Sequence, residues 1–214
     1  MITFLHGFLG VKEDWEEIAS IINLPHRCLT LPGHQGRSLD WEGFEKEIGE
    51  DVTLIGYSLG GRLAMQYAYK FPRRVKKLIL LSANPGEEGE KRREQDEKWA
   101  KVLEEEGMER FLDKWYAQPL FKTFKVDRMR RRHNPKMLAE VIRRCSPANL
   151  PNLWPKLKKI SCPMVFLFGD HDIRYQLIGK KLQKSFPVAW IPKSGHAIHL
   201  ENPNACAKQI LEAL

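Results

Sequence analysis

Cysteine is scarce in this 214-residue chain: Cys28, Cys145, Cys162 and Cys206 stand far apart, with no C-x-x-C pair. That spacing argues against a zinc site and a disulfide framework, and leaves reduced, mostly buried thiols as the expectation. No apolar run approaches the roughly 20 residues needed to span a bilayer. The first residues, Met1 to Gly7, carry no basic stretch followed by a long apolar one, so export is not signalled and a cytoplasmic location is expected. His6, His26, His34, His133 and His171 are single histidines without ligand spacing, so neither a metal nor any other cofactor is expected. Internal repeats and low-complexity tracts are also lacking.

Acid is in deficit: 27 Asp and Glu face 35 Lys and Arg, a formal net charge of +8. Such a balance favours an anionic partner, either a small substrate or an acidic carrier protein. Nucleic acid is not expected, because the basic residues are interleaved with acids and no recognised module occurs. A membrane surface has no amphipathic anchor to bind. Hydrophobic residues make up 43% of the chain, enough for one sizeable core.

Short segments rich in β-branched and aliphatic residues predict strands at Ile2–Leu5, Arg27–Leu31, Val52–Tyr57, Val75–Ser82, Met164–Phe168 and Val188–Ile191. Helical spacing at Trp15–Ile22, Leu59–Lys70, Ile173–Lys184 and Asn204–Leu214 alternates with them, which is the pattern of an α/β protein with a mainly parallel sheet. From Pro85 to about Pro155 the alternation stops. Candidate helices there are Glu87–Glu106, Met108–Tyr116, Val126–Arg132 and Pro135–Arg144, with prolines at 119, 147 and 151 as stops. The organisation expected is therefore a core of residues 1–84 and 156–214 with a helical lid, 85–155, over the carboxyl end of the sheet, where such sheets bind ligands.

Gly56-Tyr57-Ser58-Leu59-Gly60-Gly61 follows a strand and opens a helix, the setting of a nucleophile elbow. The sharp turn exposes the Ser58 hydroxyl at a helix N-terminus, and the flanking glycines let two backbones pass closely. The other triad members fall in the chain order serine, acid, histidine. Asp172 is the favoured acid over Asp170, whose expected role is to brace its own turn. His196, directly after Gly195, is the favoured base; His199 is expected to be structural, tying its loop to Glu201. The amides of Leu59 and of Phe8, in the loop after the first strand, fit an oxyanion hole.

These motifs carry a resemblance that covers most of the chain. Leu5-His6-Gly7-Phe8, Leu31-Pro32-Gly33-His34, the elbow with Arg62 directly after it, Asn84-Pro85-Gly86, Arg92 to Asp96, Trp115-Tyr116-Ala117-Gln118-Pro119-Leu120-Phe121, and Gly195-His196 through Glu201-Asn202-Pro203 resemble the 2-succinyl-6-hydroxy-2,4-cyclohexadiene-1-carboxylate synthases of menaquinone biosynthesis. Those enzymes belong to the α/β-hydrolase superfamily. The resemblance implies an α/β-hydrolase fold and a lyase reaction, in which His196 held by Asp172 activates Ser58 as a base and pyruvate leaves a substrate bearing several carboxylates. It also implies a substrate site containing Arg62, Arg92 and Arg130, for which Arg93 and Arg131 or Arg132 are neighbouring alternatives. Planar guanidiniums suit such a substrate. Trp115 and Phe121 are substrate-wall candidates that could equally be plain core, and Tyr57 is expected to line the pocket.

Two departures bear on substrate choice. The loop Pro32-Gly33-His34-Gln35-Gly36-Arg37-Ser38 is one residue longer than the usual pattern, and Cys145 to Trp154 keeps only part of it. The principal rival is a carboxylesterase using the same triad for acyl transfer, in its sharpest form a pimeloyl-carrier-protein methyl ester esterase steered by the basic lid. A binding protein without catalysis is the second rival.

Overall fold

The structure is a computed structural model and describes residues 1–124, 130 and 132–214. Six strands form one sheet: β1 (Ile2–Leu5), β2 (His26–Leu29), β3 (Val52–Tyr57), β4 (Val75–Leu81), β5 (Met164–Gly169) and β6 (Val188–Ile191). Their order is β2-β1-β3-β4-β5-β6, and every pairing is parallel. The second strand ends two residues earlier than the sequence suggests, because Leu31-Pro32 turns out of the sheet and His34 N–H closes the turn on Leu31 O at 3.1 Å.

Side chains alternate between two buried faces, as the period of a strand requires. Leu54, Leu78, Leu80, Phe166 and Phe168 meet α2 (Trp41–Ile48), α3 (Leu59–Lys70) and α7 (Ile173–Leu182). Phe4, Ile55, Ile79, Leu81 and Leu167 meet α1 (Glu16–Ile22) and α9 (Pro203–Ala213), with the short α8 (Ile198–Glu201) before it. Because both faces are covered, the inner stretches such as Leu78–Leu81 and Phe166–Phe168 read as continuous apolar runs.

Between β4 and β5 lie α4 (Glu90–Lys101), a π-helical turn Val102–Glu106, α5 (Gly107–Tyr116) and α6 (Pro135–Cys145). No strand occurs there among the described residues. Leu103, Phe111, Leu112, Leu138 and Ile142 form a separate apolar cluster that takes in Leu9 from the loop after β1. The helix expected at 126–132 falls almost entirely outside the described residues. Successive connections leave β1 toward β2 on one side and β3 on the other, so the sheet reverses its winding between β1 and β3. A crevice opens at the carboxyl ends of strands at such a switch. The loop bearing Phe8 and the turn bearing Ser58 flank it.

Candidate active site

Ser58 sits between β3 and α3 with φ +48° and ψ −106°, a left-handed conformation for a residue with a β-carbon. Backbone of this kind costs of order 1–3 kcal/mol and persists only where its surroundings enforce it. Here Ser58 N–H donates to Leu81 O at 2.8 Å, and Ser58 O accepts the first α3 bond from Arg62 N–H at 3.0 Å. The elbow also needs glycine. A β-carbon at Gly56 would lie 2.6 Å from the Gly60 carbonyl carbon, and one at Gly60 would overlap the Leu5 and His6 carbonyl oxygens.

His196 follows β6. Its Nδ1–H donates to Asp172 Oδ2 at 2.7 Å, which leaves Nε2 to accept from Ser58 Oγ at 3.1 Å. Asp172 caps α7, accepting from Tyr175 N–H at 3.1 Å through its other oxygen. Both Asp172 and His196 are buried. Asp170, the alternative acid, instead accepts from Ser194 N–H at 3.2 Å and braces the turn. Tyr175, Tyr57 and Phe121 pack around the His196 ring at centroid distances of 4.4, 5.4 and 5.9 Å and fix its plane.

The His199 expectation is corrected in one respect. His199 does not bond Glu201; it is buried between Trp15 and Tyr57, with ring centroids 4.7 and 4.3 Å away. The turn of α8 points it back at the sheet, and burial pushes its pKa down to about 3. Glu201 grips the histidine loop directly, through the backbone. Its two oxygens accept from Gly195 N–H at 2.8 Å and Ala197 N–H at 2.9 Å, the amides on either side of His196. Neither Glu201 nor Tyr175 was singled out from the sequence as acting on His196. The only signals were their spacings, five residues after His196 and three after Asp172.

A cavity of about 380 Å³ lies over Ser58 and His196. Its wall includes Phe8 and Leu59, and also Tyr57, Arg62, Arg92, Trp115, Phe121 and Arg130. Gly7 packs against the elbow so tightly that a β-carbon there would lie 2.6 Å from Tyr57 Cε1 and 3.6 Å from Ser58 Cβ, which sets the loop after β1 against the elbow. Trp115 stacks on Phe111 at 5.3 Å and also meets Phe8 at 5.2 Å, so it is at once lid core and cavity wall.

The arginines differ in what they have left to give. The guanidinium of Arg62, one helical turn after Ser58, makes one hydrogen bond among the described residues, Nη2–H to Cys145 O at 3.1 Å, and its Nε has no partner among them. Removal from bulk water, with Arg92 nearby, lowers its pKa. A cation held in that condition favours an anion beside it. Arg92, rather than Arg93, reaches the cavity, but its Nε–H is shared by both Asp96 oxygens at 3.0 and 2.8 Å, and Nη1 bonds Glu87 at 3.2 Å. Burial opposes its charge, and these two carboxylates outweigh burial and raise its pKa. Arg130 pairs with Asp14 at 3.0 Å and donates to Leu9 O at 2.7 Å, and its Nε has no partner among the described residues. Arg132 is exposed, and Arg131 lies outside the described residues. In the lid, Arg143 is committed to Glu97 and Glu104 at 2.8 and 2.6 Å. No helix among the described residues is long and apolar enough to cross a membrane.

The model of the alpha/beta hydrolase family matches residues 4–209. A 2-succinyl-6-hydroxy-2,4-cyclohexadiene-1-carboxylate synthase of Enterobacter sp. (strain 638) is 31% identical, over 98% of this chain and 91% of its own length. One from Yersinia pseudotuberculosis serotype O:1b is 30% identical, over 100% of this chain and 86% of its own. The solved structure of MenH from S. aureus superposes with a TM-score of 0.88 at 30% identity, covering 100% of this chain and 92% of that one. The chain is an enzyme of the α/β-hydrolase fold and belongs, within that family, to the 2-succinyl-6-hydroxy-2,4-cyclohexadiene-1-carboxylate synthases of menaquinone biosynthesis.

Proposed function

We propose that the enzyme eliminates pyruvate from a polycarboxylate cyclohexene to give 2-succinyl-6-hydroxy-2,4-cyclohexadiene-1-carboxylate, with Ser58, His196 and Asp172 acting together as the base. The observation that carries this reading is the Ser58 hydroxyl, 3.1 Å from His196 Nε2, facing a cavity whose wall holds the under-bonded Arg62 guanidinium. His196 takes the serine proton as Ser58 Oγ removes one from the ring carbon that bears the succinyl carbonyl. The electron pair moves onto that carbonyl oxygen, where the Phe8 and Leu59 amides stabilise it. Re-formation of the carbonyl expels the enolpyruvyl oxygen; that fragment takes a proton and leaves as pyruvate. No water is consumed and no acyl-enzyme forms. Asp172 holds His196 in the tautomer that accepts from serine and balances the imidazolium.

Arg62 supports recognition of one substrate carboxylate, and the cavity edges of Arg92 and Arg130 offer further positive potential. Tyr57, Trp115 and Phe121 supply apolar walls for the ring. Pyruvate release from the cyclohexene substrate, measured beside hydrolysis of short acyl esters and of a carrier-bound methyl ester, tests the reading. The expectation is rapid pyruvate release that Ser58→Ala abolishes without changing the melting temperature. Faster ester hydrolysis than pyruvate release would overturn it in favour of acyl transfer.

A further inference from the structure

The loop that carries the Phe8 amide has an unusual backbone. Gly10 N–H bonds Gly7 O at 3.0 Å, closing a four-residue turn with Phe8 and Leu9 at its centre. Leu9 has φ +62°, and Phe8 is not in the left-handed region, so the turn is type II. Its third position ordinarily takes glycine; a leucine there is strained, by roughly 1–2 kcal/mol. Something else must hold the turn. Both polar backbone groups of Leu9 are gripped by buried side chains from elsewhere in the chain. Leu9 N–H donates to His34 Nε2 at 3.2 Å, while Leu9 O accepts from His133 Nε2 at 3.1 Å and from Arg130.

The far nitrogens settle the tautomers. His34 Nδ1–H donates to Pro32 O at 3.1 Å, and His133 Nδ1 accepts from Gln35 N–H at 3.1 Å. Each ring therefore uses one nitrogen as donor and one as acceptor, and each is neutral. The rings lie 5.3 Å apart, nearly perpendicular, and Phe8 packs edge-on to His34 at 5.9 Å. His34 comes from the loop after β2, and His133 from the lid just before α6, so the clasp joins two distant segments to one turn.

We propose that His34 and His133 are positioning residues for the reaction: acting through the Leu9 backbone, they hold the Phe8 amide aimed at the carbonyl oxygen above Ser58. This rests on the oxyanion role given to Phe8 above. It makes two histidines without metal-ligand spacing part of the catalytic framework, although neither lines the cavity.

The test compares His34→Leu and His133→Leu, which remove the hydrogen bonds, with His34→Gln and His133→Gln, whose amides can supply an acceptor and a donor at the Nε2 positions. Two rates are read: pyruvate release, and covalent inactivation of Ser58 by phenylmethylsulfonyl fluoride, which needs the same amides but no particular substrate. Loss of a whole oxyanion donor costs about 10²–10³ in kcat, so a mis-aimed one is expected to cost about 10–100-fold. The Leu variants should lose this in kcat and in inactivation rate, with KM within about threefold of the parent, and the Gln variants should recover most of it. Leu variants within about twofold of the parent in both rates, or Gln variants as slow as Leu, would overturn the proposal. A parent that releases no pyruvate while its Ser58 inactivation is slowed by Leu and rescued by Gln would refute the substrate reading and leave the positioning role standing. Should His34→Leu fail to fold, the His133 pair carries the test alone.

Discussion

Lowering the pH from 7.5 to 5.0 perturbs this fold at buried imidazoles. His6 and His199 are fully buried, and burial, the largest cause at each, pushes both pKa values down to about 3. His6 cannot gain a proton without evicting the Leu31 N–H from Nε2, because its Nδ1–H is already given to Gly7 O. In the unfolded chain both would titrate near 6.5. The folded pKa lies below the unfolded one, so the stability contribution is complete above about pH 6.5 and is lost as pH falls toward 3. Between 6.5 and 5.0 each histidine removes about 1.5 × 1.36, or roughly 2 kcal/mol, and the two together about 4 kcal/mol. His34 and His133, also shifted down by burial, act in the same direction. Against a typical domain stability of about 5–15 kcal/mol this is a large fraction. Urea unfolding at pH 7.5, 6.0 and 5.0 measures it. His199→Phe supplies the control: it keeps a ring between Trp15 and Tyr57, leaves no partnerless nitrogens, and is expected to flatten the pH slope by about 1.4 kcal/mol per unit. Unfolding free energies equal within about 1 kcal/mol at pH 7.5 and 5.0, or a His199→Phe slope matching the parent's, would refute the reasoning.

Two further outcomes follow from the site. Arg62→Met keeps an unbranched, flexible stem without the charge. It is expected to lower kcat/KM at least about 100-fold for the carboxylate-rich substrate, the cost of losing a charge-assisted pair of about 3 kcal/mol, and to change turnover of a neutral ester less than threefold; equal losses on both would make Arg62 structural. Glu201→Gln leaves one acceptor but turns an amide NH₂ toward a backbone N–H, so a loss of about 1–3 kcal/mol in unfolding free energy is expected together with a fall in kcat. An unchanged kcat would show that the His196 loop keeps its shape without Glu201.

The fold was legible where periodicity and packing coincide. Val52–Tyr57 is apolar except for Thr53 because both its faces are covered, and the strand lies where its sequence places it. Trp41–Ile48 was missed although its signals are present: Asp40 accepts from Gly43 N–H at 2.8 Å as the cap, and Phe44 and Ile48 recur on the buried side. Eight residues with a glycine inside are short evidence for a helix. Val102–Glu106 departs from α-helical winding between α4 and α5, a local adjustment that side-chain spacing does not report. The hydrogen-bonded grouping of Ser58, Asp172 and His196 is foreseeable because an elbow and two glycine-flanked loops constrain the backbone locally. The clasp on Leu9 could not, since it joins residues 25 and 124 positions away from Leu9.

The same distinction decides what the positive charge does. A count of +8 and runs such as Arg130–Arg132 and Arg143–Arg144 look like sources of anion affinity. In the fold Arg143 is committed to Glu97 and Glu104, Arg92 to Asp96 and Glu87, and Arg130 to Asp14, an acid 116 positions away in the chain. Arg62 differs because the one hydrogen-bond partner of its guanidinium among the described residues is a neutral carbonyl, Cys145 O, at the end of α6. A carbonyl satisfies a hydrogen without cancelling the charge, so Arg62, which feels Asp96 only at a distance, keeps more of its attraction for an anion than the arginines paired directly with carboxylates. An intrahelical pair such as Arg92–Asp96 is foreseeable from i,i+4 spacing; that Asp14 takes Arg130, and that no acid among the described residues takes Arg62, is decided by how distant segments pack together.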